Sequence, residues 1–233
     1  MGLIAVDAVD LGAGVSRAGA PRAAIVLDTA GPVIGIAAFE NGVCVWAAQE
    51  RIVQGADGWL LPAMAAACER LGGLGPEDRL VVGVGPGAFT GVRVGVAAVL
   101  GLAESVGCRV IPVSSLALRA AALPGHARVV VALDARKEKV YVGEFDTRGL
   151  IPTPLQEERD ILPDAAFLGE GLVTGEGACV YSERLGALQL AAEPDACTME
   201  AAGCFLGGVS LDPAAVQLAY LRGEDQVVTL KKR

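Results

Sequence analysis

The chain has 233 residues and a formal charge of −8 at pH 7; it is long enough for one large domain or two small ones, and too acidic to form a nucleic-acid surface alone, because neutralising phosphates takes clustered Lys and Arg. Hydrophobic residues make up 53% and aromatic residues 4%, so the interior must be built from Ala, Val and Leu, and a partner is expected to cover part of the surface. A single histidine excludes a metal site made of histidines, and the six cysteines, with no CxxC pair among them, read as reduced core residues of a cytoplasmic protein.

Residues 1–22, rich in Gly and Ala, show no sustained period and read as a loosely held extension. A buried strand over 23–27 stops at Asp28-Thr29-Ala30-Gly31-Pro32, a second covers 33–39, and Asn41-Gly42 turns it into a third over 43–49. Asp57 can cap a helix over 58–71, with Pro62 moving its true start slightly later; Leu61, Met64, Ala65 and Cys68 follow helical spacing, and the cluster at 72–76 ends it. A β-branched strand then runs into the loop Gly85-Pro86-Gly87-Ala88-Phe89-Thr90-Gly91, which opens into an apolar helix over 92–106 and a short strand over 109–112. No apolar run is expected to cross a bilayer, because Asp28, Arg93 or Glu104 interrupts the longest ones.

The second half repeats this order. A strand over 129–133 ends at Asp134-Ala135-Arg136-Lys137 and returns over 140–145, and the stretch 172–177 enters a helix expected over 178–185. Further helices are expected over 194–206 and over 213–222, the latter capped by Asp212 with Pro213 at its first position. The expected fold is α/β and duplicated, two mixed sheets flanked by helices, with Asp28 and Asp134 at the floor of a cleft between them. The division is 1–22 as extension, 23–106 as first subdomain with 213–233 packing back on it, and 107–212 as second subdomain.

Three features could carry chemistry. The glycine loop could cradle a phosphate on its amides, but it lacks the Lys of a Walker A loop, follows an antiparallel meander unlike a Rossmann unit, and loses one donor to Pro86; a tight strand-to-helix turn is favoured. Asp28 and Asp134, with Thr29, could hold a magnesium nucleotide, yet the second turn has no glycine to admit a phosphate, and each Asp more simply satisfies its own turn. The helix over 92–106, roughly 22 Å long at the usual rise, has no continuous polar stripe. Its small residues Gly95, Ala98 and Gly101 invite a second helix. With His126 in a loop and no nucleophile elbow, a hydrolase finds little support.

The run Gly85-Pro86-Gly87-Ala88-Phe89-Thr90-Gly91-Val92-Arg93-Val94-Gly95 resembles the TsaB (YeaZ) family signature Gly-Pro-Gly-Ser-Phe-Thr-Gly-Leu-Arg-Ile-Gly. The resemblance continues through Leu27-Asp28-Thr29-Ala30, Pro112-Val113-Ser114-Ser115-Leu116, Leu133-Asp134-Ala135-Arg136, Val140-Tyr141 and Tyr220-Leu221-Arg222. It implies a duplicated actin-like (ASKHA, RNase H-like) fold and a role in making threonylcarbamoyladenosine next to the anticodon of tRNA. It further implies a non-catalytic scaffold that pairs with TsaD, is joined by the ATPase TsaE, and meets tRNA only through the complex, away from membranes. Implied too are a partner interface of Leu61, Met64, Ala65, Cys68, Val92, Gly95, Val96, Ala98, Val99 and Leu102, a degenerate nucleotide cleft at Asp28, Thr29 and Asp134, and no catalytic or metal-binding residue. No cofactor is expected on the chain alone; ATP or ADP is expected where the partners meet, and the same helices could pair with themselves. Ala88 departs from the family Ser, and Ala56 stands where many relatives carry His. The alternative is a small ASKHA-type kinase or ATPase using Asp28.

Overall fold

The computed structural model of the chain describes residues 5–7, 21–52, 57–193 and 195–221. In chain order the first elements are β1 (Ala5–Asp7), β2 (Ala23–Asp28), β3 (Val33–Glu40), β4 (Val43–Arg51), α1 (Asp57–Arg70), β5 (Arg79–Gly83), α2 (Phe89–Val106), β6 (Arg109–Val113) and α3 (Ser115–Ala120). The others are β7 (Val129–Arg136), β8 (Lys139–Asp146), β9 (Thr153–Pro154), β10 (Arg159–Ile161), α4 (Pro163–Ala166), β11 (Gly171–Thr174), α5 (Glu176–Val180) and β12 (Leu188–Leu190). One sheet has the order β1-β4-β3-β2-β5-β6, and the other β10-β8-β7-β11-β12 with β9 beside β8.

The expected repeat is present. In the first sheet β2 pairs antiparallel with β3 and parallel with β5; in the second β7 pairs antiparallel with β8 and parallel with β11. The central strands are apolar along their whole length because both faces are covered, as β2, buried at every position, illustrates. Asn41 (φ 49°) and Gly42 (φ 82°) take the left-handed pair that a two-residue hairpin needs. The α2 helix ends at Gly107, whose φ of 75° lets its N–H return to the Ala103 carbonyl.

Four expectations need correction. First, β6 joins the first sheet beside β5, so the first lobe extends past residue 106, and α3 links the lobes. Second, the segment 197–206 packs on β3 and β4 and gives Cys197, Met199, Ala202, Phe205 and Leu206 to the first core, although it was expected in the second lobe. Third, three helices are shorter than expected: α5 spans Glu176–Val180 and is followed by a 3-10 turn, 194–206 reduces to the 3-10 segment Glu200–Phe205, and 213–222 to Pro213–Ala215. Gly203 weakens the second. In the last, a backbone group is engaged by the first lobe instead: the Ala219 N–H donates to the Val84 carbonyl, just after Leu211 bridges Val110. The Asp212 cap is present, accepting from the Ala214 N–H. Fourth, within the expected extension, Ala5–Asp7 pairs antiparallel with β4; most of 1–22, Ala56 and 222–233 lie outside the described residues.

The α2 helix, with 18 residues, is also long and apolar enough to cross a membrane by length and composition, contrary to the expectation that no run was. Here it lies on the first sheet, with Val92, Gly95, Val96, Val99 and Ala103 buried beneath it.

Candidate functional site

Two amides of the glycine loop are spent on its own chain. The Gly85 N–H donates to Ser115 Oγ (3.1 Å), the Ala88 N–H to the Ala30 carbonyl (2.7 Å), and Pro86, behind a cis peptide bond, has none to give. These two inward-turned donors close a tight strand-to-helix turn. The spacing of the glycines reflects how closely α2 approaches the turn after β2. A Cβ on Gly95 would stand 2.1 Å from Thr29 Oγ1, and that hydroxyl, expected to meet phosphate, is buried and donates to the Gly91 carbonyl (2.7 Å). Ala88 occupies the N-cap of α2 with no side chain able to accept from the first turn, where the family Ser would. Outside, the Arg93 guanidinium lies 3.7 Å over the exposed Phe89 ring and donates from Nε to Tyr220 Oη (3.0 Å). The C-terminal segment is thereby tied to the start of α2.

The position expected at a cleft floor is occupied by a buried ion pair. Asp28 is fully buried; Oδ2 meets Arg119 Nη1 at 2.5 Å and accepts from the Ala30 N–H, while Oδ1 accepts from Ser115 Oγ at 2.5 Å. The Cys197 thiol also points at Oδ2 (3.8 Å). With these partners in place, the carboxylate presents no free edge to a magnesium ion. Burial would pull the Arg119 pKa down, but Asp28 beside it prevails and raises it above the usual value. Asp134 satisfies its own turn: Oδ1 accepts from the Arg136 N–H (2.9 Å) and Oδ2 pairs with Arg136 Nη1 (3.0 Å). The structure therefore does not bring Asp28 and Asp134 together as a metal pair, and no group of His, Cys, Asp and Glu among the described residues could hold a metal ion. Sequence reasoning passed over Arg119 and Ser115. The signal available was one Arg inside Leu116-Ala117-Leu118-Arg119-Ala120.

Burial pushes the Cys197 thiol up to about 12 and the Cys44 thiol up to about 11. Both therefore stay protonated and unreactive at neutral pH. Iodoacetamide at pH 8 is expected to modify the half-buried Cys68, Cys179 and Cys204 first, and Cys44, Cys108 and Cys197 only once the chain unfolds, as peptide mass spectrometry would record. Native labelling of Cys197 would mean that the cleft is open.

A family model for TsaD, tRNA N6-adenosine threonylcarbamoyltransferase, matches residues 57–159. The tRNA threonylcarbamoyladenosine biosynthesis protein TsaB of Haemophilus influenzae is 47% identical over 75 residues, 31% of this chain and 32% of that protein. That of Escherichia coli is 41% identical over 71 residues, 29% of this chain and 31% of that protein. The matched stretch spans less than a third of either relative's length. The solved structure of YeaZ from Pseudomonas aeruginosa superposes with a TM-score of 0.71 and 27% identity, over 85% of this chain and 99% of that one. A Pseudomonas aeruginosa protein described as uncharacterised, with similarity to peptidase YeaZ, gives 0.73 and 26% over 86% and 99%. The chain is therefore similar to TsaB (YeaZ) proteins, in sequence over a stretch of 71–75 residues and in fold over most of its length. Its paired sheets are the duplicated actin-like fold.

The residues expected at a partner interface divide between two faces. Val92, Gly95, Val96 and Val99 of α2, and Met64 of α1, are buried against their own lobe. Leu61 and Ala65 are exposed, and Cys68, Ala98 and Leu102 half-buried. The outward face of α2 is Thr90, Arg93, Ala97, Gly101, Glu104 and Ser105. Ala97 was missed although Thr90, Arg93, Glu104 and Ser105 fall on the same side and mark it as outward. The α1 helix packs on β3 and β4, α2 packs on β2, β5 and β6, and the two helices touch, so Leu61, Ala97 and Gly101 belong to one helical layer.

Proposed function

We propose that the chain acts in tRNA threonylcarbamoyladenosine biosynthesis as a non-catalytic subunit that holds a TsaD-like partner against the outer side of α1 and α2. One observation carries this reading: α2 is apolar along most of its 18 residues, yet only 28% of them are buried within the chain. Covering exposed apolar surface contributes about 25 cal/mol per Å², and small residues such as Ala97 and Gly101 let a second helix come close. In this proposal a TsaE-like ATPase joins the pair in the cytoplasm, tRNA is met only through the complex, ATP or ADP binds where the subunits meet, and the same face self-pairs when the chain is alone. A stand-alone kinase or ATPase is disfavoured because Asp28 is already engaged by Arg119 and Ser115.

Purified TsaD-like and TsaE-like proteins are expected to modify tRNA only when this chain is added. Gly101→Arg is expected to abolish capture of the TsaD-like subunit while leaving the thermal unfolding midpoint unchanged, since a Cβ at Gly101 meets nothing within 4 Å. Modification without the chain, or full capture by this folded variant, would overturn the proposal.

A further inference from the structure

The α3 helix leaves the edge of the first sheet and packs on β7 and β8 of the second. From this bridge Arg119 reaches back into the first lobe, where Nη1 contacts Asp28 Oδ2 (2.5 Å) and the Ser115 carbonyl (3.1 Å), and Nη2 contacts the Val33 carbonyl (3.5 Å). On the other side stands Glu176, the first residue of α5 in the second lobe. A Cβ built on Gly31 would lie 2.9 Å from Arg119 Nη2 and 3.2 Å from Glu176 Oε2, so both groups close on the same stretch of backbone, and only a glycine there leaves room for them. A further polar contact joins the start of α3 to the second lobe: Ser114 Oγ donates to Glu158.

We propose that Arg119 is a lobe lock, an internal cation placed between the Asp28 turn of the first lobe and Glu176 of the second, which keeps the cleft closed. A guanidinium suits this position because its planar fork can serve several acceptors at once and it stays charged when buried. Asp28 bonds the guanidinium directly, while Glu176, beyond ion-pair distance, meets its charge through space: burial pushes the Glu176 carboxyl up and the Arg119 cation draws it back while the lobes are together. Opening the cleft separates Glu176 from Arg119 but leaves the Asp28 pair intact, so the lock acts across the lobes more than within the first core. None of this depends on the partner proposed above.

Hydrogen–deuterium exchange on the full chain tests it. In Glu176→Gln, which leaves Asp28 and Arg119 untouched, exchange is expected to quicken about tenfold in both 28–33 and 176–180, with a single cooperative unfolding transition retained. In Arg119→Gln the same segments are expected to exchange faster still, and the radius of gyration from small-angle scattering to rise. Unchanged exchange at 176–180 in Glu176→Gln would overturn the lock and leave Arg119 as an ion pair internal to the first lobe. Should Arg119→Gln fail to fold, Glu176→Gln alone decides the matter.

Discussion

Asp28→Ala is expected to destabilise the chain by about 3–5 kcal/mol, read as a fall in the urea midpoint at pH 7, because it leaves the Arg119 guanidinium buried without its bonded carboxylate. Both partners are almost wholly inaccessible, with side chains 0% and 5% exposed, so water cannot replace the lost contact. The Arg119→Met/Asp28→Ala double variant is expected to recover most of that loss, since an apolar pair of similar volume is often as stable as a buried ion pair. A catalytic Asp28 predicts the reverse, a chain of normal stability that loses magnesium-dependent ATP turnover. Unchanged urea stability in Asp28→Ala would therefore overturn the buried ion pair.

Val96→Asp is expected to prevent folding or to cost upwards of about 3 kcal/mol in circular-dichroism melts, because Val96 is 5% exposed on the sheet-facing side of α2 and an ionised carboxylate there would have no partner. Gly95→Ala is expected to cost about 1–3 kcal/mol by overpacking against Thr29. Substitutions on the opposite side should stay within about 0.5 kcal/mol of the parent. The contrast between Val96→Asp and Gly101→Arg therefore distinguishes loss of fold from loss of partner on a single helix. A Val96→Asp chain with a normal melt would place that side of α2 in solvent.

Much of the first lobe was legible in the sequence because its strands are β-branched runs cut by turns of fixed chemistry, as at Asp28-Thr29-Ala30-Gly31-Pro32 and Asn41-Gly42. The repeat was legible for the same reason. Other features left little local trace. Glycine spacing records that backbones approach one another but not which partners they meet, so the tight turn at Gly85 and Gly87 was legible while its closure on Ser115 and Ala30 was not. An almost uniformly apolar α2 revealed its burial, but its phase was marked only by Thr90, Arg93, Glu104 and Ser105, and without that mark Val96 was placed outward and Ala97 overlooked. The segment 213–222 was expected as a helix from its period and its Asp212 cap. A tertiary hydrogen bond at Ala219 prevailed over that preference.

The return of 197–206 to the first core gives the chain a discontinuous build. The second lobe is an insertion within the first, so the polypeptide must pass out and back before the first lobe is finished. A fragment ending at residue 190 would keep every strand of both sheets, yet lack Cys197, Met199, Ala202, Phe205 and Leu206 over β3 and β4. During synthesis, therefore, the half of the molecule that begins first is completed last, and a nick between 191 and 195 would uncover the older lobe while leaving the strands of the younger one whole.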